Sequence, residues 1–154
     1  MEIKGDLIAR KGCCYHNGKK YPRGSNCFYV RVGSKLGVKV YYGLDRKQLL
    51  SLKAVKGLQE YATGIAVHGV CRRPHGKTAV EINVTYRGER IKCKAYGIIV
   101  KHLDMDYHKG KDKFKKWLKQ KMDALKIRHR DDYYQDGNIG WDKDKKRYFL
   151  VDWK

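Results

Sequence analysis

The last seventeen residues of the chain constrain its fold more than any other segment. Ile139 to Trp141 is a short apolar run, Asp142 to Lys146 is a polar turn, and Arg147 to Val151 is rich in residues that favour β-strands. This pattern predicts a β-hairpin, with Asn138 before it and Asp152 after it. Since a hairpin brings its two ends together, an amide oxygen and a carboxylate are expected to face one another. Such oxygen ligands suit Mg²⁺, which usually shares them with substrate phosphates. The structural alternative is an Asx turn at each end.

Three short motifs surround this predicted hairpin. His129-Arg130-Asp131, Gly137-Asn138-Ile139-Gly140 and Val151-Asp152-Trp153 occur in this order, and Asp152 follows Asn138 by fourteen positions. The segment resembles the catalytic loop and the metal-binding Asp of protein-kinase-like folds, in the divergent form found in short bacterial and bacteriophage kinases. The resemblance implies ATP and Mg²⁺ as cofactors, with Asn138 and Asp152 as the metal ligands.

The catalytic base has two candidates. The family keeps four residues between its catalytic Asp and the Asn. Here Asp131 leaves six and Asp132 leaves five, so the family register falls on Tyr133. The resemblance implies that Asp132, which lies nearer to that register, or Asp131 accepts the proton of a substrate hydroxyl. The alternative is that both are solvated acids of a loop and that the base has been lost.

Two segments are candidates for phosphate binding. Lys39 lies in a β-rich run in which Val38 and Val40 point to one face of the strand and Lys39 points to the other. This run resembles the kinase strand whose Lys holds the α- and β-phosphates; the alternative is a Lys on a solvated face. Gly24 and Ser25 occupy the place of the family's glycine-rich loop, and the alternative for them is an ordinary turn.

The helix expected after the Lys39 strand departs from the family pattern. Residues 45–62 have an apolar stripe at helical spacing, and Asp45 is suited to cap them. Kinases pair the strand Lys with a Glu on this helix. Here Gln48 stands near the expected position, and the first Glu is Glu60. This departure puts phosphoryl transfer in doubt but is compatible with nucleotide binding.

The predicted elements give an α+β fold with a largely antiparallel sheet. Strands are predicted at 2–9, 27–32, 36–42, 65–70, 79–86 and 91–100, helices at 45–62 and 111–126, and a loop at 12–26. The resemblance implies one minimal kinase-like domain over residues 1–154. A β-rich N-lobe would span 1–100, and a truncated C-lobe at 101–154 would hold a basic helix, the catalytic-loop-like segment and the C-terminal hairpin.

A strong positive charge favours polyanionic partners. The chain has 36 Lys and Arg against 16 Asp and Glu, a formal charge of +20. In the helix at 111–126, most lysines lie off an apolar stripe formed by Phe114, Trp117, Leu118, Met122 and Leu125. The lysines are therefore either a solvated face or a docking surface for an acidic host protein or a nucleic-acid backbone. The residues suited to stacking on bases are Tyr41, Tyr42, Tyr133 and Tyr134.

Cysteine usage and hydropathy indicate a cytoplasmic protein without a membrane segment. Five cysteines, an odd count, agree with a reducing compartment. No apolar run approaches the roughly 20 residues that span a bilayer, and the N-terminus lacks a signal-peptide core. Cys13, Cys14, His16 and Cys27 could in principle bind zinc, but their spacing matches no common zinc pattern. If the chain is encoded by a bacteriophage, as the resemblance suggests, it would act in the host cytoplasm.

Two functional hypotheses follow from the sequence. The first is a small kinase-like protein that binds Mg·ATP between a β-rich lobe and the hairpin and transfers the γ-phosphate to a Ser or Thr of a protein. The second is a catalytically inactive protein of the same fold that binds a host protein or nucleic acid through its basic surface.

Overall fold

The computed structural model shows a strand-rich α+β fold. It describes residues 1–10, 13–22, 27–41, 69–72, 74–86, 88–126 and 131–151. The chain divides into two compact units: Met1–Gly57 with Pro74–Lys101, called the sheet unit here, and Leu58–Arg73 with His102–Lys154, called the hairpin unit. No helix within the described ranges is long and apolar enough to cross a membrane.

Seven strands among the described residues form the sheet unit. They are β1 (Glu2–Arg10), β2 (Cys13–His16), β3 (Lys19–Pro22), β4 (Cys27–Arg31), β5 (Leu36–Tyr41), β6 (Pro74–Tyr86) and β7 (Glu89–Lys101). Their order in the sheet is β3-β2-β1-β6-β7-β5-β4. Neighbouring strands are antiparallel except for β1 and β6, which are parallel.

Alternating apolar residues build the core of the sheet unit. Side chains two positions apart on a strand share a face, so Val38 and Val40 lie together on β5, as the sequence predicts. Both are fully buried in one cluster with residues of the neighbouring strands. That cluster contains Ile3, Leu7, Ala9, Cys14, Phe28, Val30, Val38, Val40, Val80, Ile82 and Val84.

The predicted loop at 12–26 is wrong for part of its length, because β2 and β3 form a hairpin there. Asn17 and Gly18 connect the two strands with φ angles of 50° and 76°. Two successive left-handed residues are what a type I′ turn requires, and Asn-Gly is the strongest sequence signal for that turn. The density of turn-forming residues around this short hairpin obscured the signal.

The other elements of the sheet unit that lie within the described ranges are strands, as the sequence predicts. β4 pairs with β5 and β6 pairs with β7, each across the expected turn. β6 begins at Pro74, earlier than predicted, with a register shift between Pro74 and Gly76. The predicted helix at 45–62 lies outside the described residues, as does most of the predicted strand at 65–70.

The hairpin unit contains the predicted basic helix and the predicted C-terminal hairpin. Its elements are α1 (Lys111–Ala124), two 3-10 turns (Asp131–Tyr134 and Asp136–Asn138), β8 (Ile139–Asp142) and β9 (Arg147–Leu150). The helix ends before the predicted position because Lys126 takes a left-handed conformation, with φ at 54°. The hairpin matches the sequence prediction in its position and its pairing.

A segment distant in sequence supports the C-terminal hairpin. The backbone N–H of Leu150 donates to the carbonyl of Val70 at 2.9 Å, and the N–H of Arg72 donates to the carbonyl of Leu150 at 2.7 Å. An isolated two-stranded hairpin is marginal in water, so this third extended segment stabilises it. The core beneath contains Val70, Cys71, Leu118, Met122, Tyr133, Ile139, Tyr148 and Leu150.

The apolar stripe predicted for α1 is only partly buried. Leu118 and Met122 are buried as expected, but Trp117 is 40% exposed and Leu125 is 42% exposed. Lys111, which was not assigned to the stripe, is instead buried with them. Helical spacing identifies residues that lie on one side of a helix. How many of them are buried depends on what packs against that side.

Burial of Lys111 places an ammonium group near an aromatic ring. Lys111 is 2% exposed, and its Nζ lies 6.0 Å from the centroid of the Tyr148 ring. Its Nζ has no hydrogen-bond partner among the described residues. Burial lowers the pKa of Lys111, and the nearby carboxylate of Asp136 partly opposes this effect. The charged form is therefore disfavoured in the folded protein.

Replacing Lys111 with methionine is expected to stabilise the protein at pH 7 by about 1 kcal/mol, because an apolar group of similar length removes a buried charge. The folded-state pKa lies below the unfolded value of about 10.4, so the unfolded chain binds more protons in the window between them. The free energy of unfolding of the wild type therefore rises with pH through that window. The stability advantage of Lys111→Met should shrink towards pH 10.

Urea unfolding of both proteins at pH 7 and pH 10 measures this difference. Lys113→Met, a change at an exposed position on the same helix, is the matched control and should leave stability almost unchanged. A Lys111→Met variant less stable than wild type at pH 7 would contradict the expected effect of burial.

Candidate metal centre at the C-terminal hairpin

The two ends of the C-terminal hairpin meet through the backbone. Strands β8 and β9 pair from Asp142 with Arg147 to Ile139 with Leu150. Beyond the last pair, the N–H of Val151 donates to the carbonyl of Asn138 at 2.9 Å. Asn138 is thus joined to the residue that immediately precedes Asp152. Asp152 itself lies outside the described residues, so its assignment as a metal ligand stays a prediction.

Asn138 is held in place from both sides. It is the last residue of the second 3-10 turn, where its N–H donates to the carbonyl of Gln135 at 2.9 Å. Its own carbonyl accepts the bond from Val151. Asn138 is half-buried. These main-chain bonds fix the position of the Asn138 backbone.

The hairpin contains an Asx turn at Asp142. The Oδ1 atom of Asp142 accepts hydrogen bonds from the N–H groups of Asp144 at 2.9 Å and Lys145 at 3.0 Å. Asp142 is buried, and these bonds determine how the chain reverses between β8 and β9. This turn lies at the opposite end of the hairpin from Asn138, so the alternative of Asx turns at Asn138 and Asp152 stays a prediction.

The two candidates for the catalytic base open the first 3-10 turn. Asp131 is exposed and is followed directly by Asp132. Tyr133, which occupies the family register, is buried in the core of the hairpin unit.

The two tyrosines of this turn differ in burial. Tyr133 is buried, so the suggestion that it stacks on bases is wrong. Tyr134 is half-buried, and its hydroxyl donates to Sδ of Met122 at 3.6 Å. Burial raises the pKa of Tyr134 to about 12. Tyr42 lies outside the described residues.

Lys39 is buried on the side of β5 away from the valine core. It is 5% exposed and lies opposite Tyr29 on β4 and Ile98 on β7. The alternative of a Lys on a solvated face is therefore wrong. Burial of an ammonium is unfavourable unless an anion or a hydrogen bond compensates for the lost contact with water.

The remaining predicted residues of the phosphate site lie outside the described ranges. These are Gly24 and Ser25 of the predicted phosphate loop. The positions compared with the Glu of the kinase helix, Gln48 and Glu60, also lie outside the described ranges.

The cysteine-rich segment does not form the zinc site considered from the sequence. Cys13 and Cys14 are neighbours on β2, so their side chains point to opposite faces. Cys14 is fully buried, and its Sγ donates to the carbonyl of Tyr29 at 3.6 Å. No group of three His, Cys, Asp or Glu side chains suited to a metal occurs in the described part of the chain. An Asn–Asp pair for Mg²⁺ is a smaller set, completed by phosphate and water.

Arg72 is a charged residue near the hairpin end that sequence reasoning missed. It is buried, and its Nη2 donates to the carbonyl of Val151 at 3.3 Å. The guanidinium therefore lies beside the backbone that leads into Asp152. The sequence carries no signal for this placement, because it depends on the pairing of Val70 and Arg72 with Leu150.

Cys71, the residue before Arg72, is a buried thiol. Burial raises the pKa of the Cys71 thiol to about 12, so this cysteine is protonated at neutral pH.

Comparison of the chain with protein-family models, with curated proteins and with solved structures finds no significant match.

Proposed function

We propose that this protein binds Mg·ATP through a kinase-like site in which Asn138 and Asp152 are the metal ligands. The observation that carries the proposal is the hydrogen bond from Val151 to Asn138, which closes the hairpin next to Asp152. In the proposal, the amide oxygen of Asn138 and the carboxylate of Asp152 would provide two hard ligands. Nucleotide phosphates and water would complete the octahedral shell of Mg²⁺.

Charged residues of the chain suit the nucleotide phosphates. In the proposal, Lys39 binds the α- and β-phosphates, as its resemblance to the kinase strand implies. Lys39 lies on β5, the strand that carries this resemblance. Arg72 stabilises the chain just before Asp152 through the carbonyl of Val151.

Transfer of the γ-phosphate to a Ser or Thr hydroxyl would require Asp132 or Asp131 to orient that hydroxyl. Both residues belong to the first 3-10 turn, and Asp131 is exposed to solvent. The proposed enzyme would thus be a Ser/Thr protein kinase with a base displaced from the family register.

The second candidate function is a catalytically inactive kinase-like protein that acts by binding. Tyr133 favours it, because a core residue occupies the family position of the base. In this case the nucleotide site would serve regulation or stability, and the basic surface would bind an acidic host protein or a nucleic acid.

Titration calorimetry with ATP tests the nucleotide site. It should be done with and without Mg²⁺ at about 150 mM salt, where the Debye length is about 8 Å and loose attraction is screened. We expect saturable binding that depends on Mg²⁺, and Asp152→Asn should weaken it by at least about tenfold because a ligand of the metal loses its charge.

A matched control separates this loss from a general change in charge. Asp112→Asn removes one carboxylate from a side chain that is 97% exposed in the same unit. It should bind ATP as the wild type does. Binding that is indifferent to Mg²⁺, or that Asp152→Asn and Asp112→Asn change equally, would contradict the proposed site.

A further inference from the structure

The exposed indole of Trp117 is the most unusual surface feature of α1. Trp117 is 40% exposed, whereas its helical neighbour Leu118 is fully buried. The ring does not lie loosely on the surface: the centroid of the Phe114 ring is 5.5 Å away, at an interplanar angle of 35°. Phe114 in turn contacts Tyr148, at 5.6 Å between centroids. A stack of rings that reaches into the core therefore orients a partly exposed indole.

Lysines flank this indole along the helix. Lys113 precedes Trp117 by four positions and Lys121 follows it by four, so each lies about 6 Å from it along the helix axis. The Nζ of Lys121 is 5.0 Å from the centroid of the Trp117 ring. Lys113 and the neighbouring Lys116 are exposed. Lys113, Lys116, Trp117 and Lys121 are called the Trp117 face below.

The combination of positive charge and an exposed aromatic ring favours one class of ligand. Lysines alone would attract any polyanion, and the formal charge of +20 strengthens that attraction. Carboxylates alone would pair with the ammonium groups and leave the indole without a partner. A nucleic-acid strand with unpaired bases offers phosphates for the lysines and a π-face for the indole. In a duplex the bases already stack on each other, so an unpaired strand fits better.

We propose that the Trp117 face binds single-stranded nucleic acid, with one base stacked on Trp117 and the neighbouring phosphates contacting Lys113, Lys116 and Lys121. Binding should be tolerant of sequence, since every base has a π-face and the phosphates are identical. The proposed surface shares no residue with the nucleotide site, so the failure of either proposal leaves the other untouched.

Fluorescence anisotropy with a labelled oligothymidylate of about 15 nucleotides, a length in the range of known single-strand sites, tests the stacking contact. Trp117→Ala should weaken binding about 5- to 150-fold, the range for loss of one aromatic–base stack. Trp117→Phe should retain most of the affinity because it keeps a ring. Asp152→Asn should bind the strand as the wild type does.

Salt dependence tests the pairing of lysines with phosphates. Between about 50 and 200 mM salt, the slope of log affinity against log salt should become shallower by about 0.7 for each phosphate that Lys113→Gln or Lys121→Gln no longer neutralises. Lys92→Gln makes the same charge change at an exposed position on β7 and should alter the slope much less.

Three comparisons would overturn the proposal. The first is equal affinity of wild type and Trp117→Ala for oligothymidylate. The second is equal affinity of the wild type for oligothymidylate and for an abasic strand of the same length. The third is equal affinity for polyglutamate, which would assign the face to an acidic protein. If Trp117→Ala unfolds, as circular dichroism would reveal, the Trp117→Phe variant and the abasic strand decide instead.

Discussion

Replacing Leu150 with alanine is expected to lower the free energy of unfolding by about 2 to 5 kcal/mol. Leu150 is fully buried, pairs with Ile139 across the hairpin, and belongs to the core that includes Leu118 and Met122. Truncation removes buried methyl groups and leaves a cavity that surrounding side chains fill only partly. Since small domains are stable by about 5 to 15 kcal/mol, the loss is a large share of the total. Urea unfolding followed by circular dichroism measures it.

Leu125→Ala is the matched control for this truncation. It makes the same chemical change in the same unit, but Leu125 is 42% exposed at the end of α1. We expect its effect to stay within about 0.5 kcal/mol. Similar losses in the two variants would contradict the described packing of the hairpin unit.

Replacing Gly97 with alanine is expected to destabilise the sheet unit by about 1 to 3 kcal/mol through overpacking. A Cβ atom at Gly97 would lie 2.6 Å from Cγ1 of Val38 and 3.0 Å from the carbonyl oxygen of Lys39. Alanine would otherwise favour the strand by roughly 0.5 to 1 kcal/mol over glycine, so the steric effect is the larger. The close atom on Lys39 belongs to the backbone, which cannot move aside cheaply.

Gly33→Ala provides the comparison for this substitution. Gly33 lies between β4 and β5, and a Cβ atom there would meet no other atom within 4 Å. We expect it to be neutral or slightly stabilising, because alanine reduces the conformational entropy of the unfolded chain. Thermal unfolding of both variants measures the difference. A Gly97→Ala protein as stable as Gly33→Ala would show that the strands at Gly97 are further apart than described.

Local patterns of sequence predicted much of the described fold. The alternation of Val38, Lys39 and Val40 identified the two faces of β5, and the polar turn after Trp141 located the C-terminal hairpin. The Asn-Gly turn between β2 and β3 belongs to the same class of local signal, although the prediction overlooked it. These features depend on neighbouring residues, so sequence periodicity and turn chemistry are enough to predict them.

Features that depend on distant residues were not predictable. The parallel pairing of β1 with β6 and the pairing of Leu150 with Val70 and Arg72 join segments far apart in the chain. The exposure of Trp117 is a similar case, because helical spacing cannot tell how wide a face its neighbours cover.

In the candidate site, too, local features were predictable from the sequence, and features that depend on distant residues were not. The short-range prediction that the hairpin ends meet agrees with the bond between Val151 and Asn138. The burial of Tyr133 at the family position of the base depends on the core beneath the loop, and no local pattern indicates it. The roles of Lys39, Asn138 and Asp152 in nucleotide binding remain predictions for experiment.

Paramagnetic broadening by Mn²⁺, an ion that also prefers oxygen ligands, tests the central claim most directly. In the nuclear magnetic resonance spectrum of the ATP-bound protein, trace Mn²⁺ should broaden the side-chain amide signals of Asn138 and the backbone signal of Val151. Asp152→Asn should abolish the effect at Asn138. Unchanged Asn138 signals, with broadening spread over the lysines of α1, would contradict a metal site at the hairpin end and indicate loose attraction of the polyphosphate.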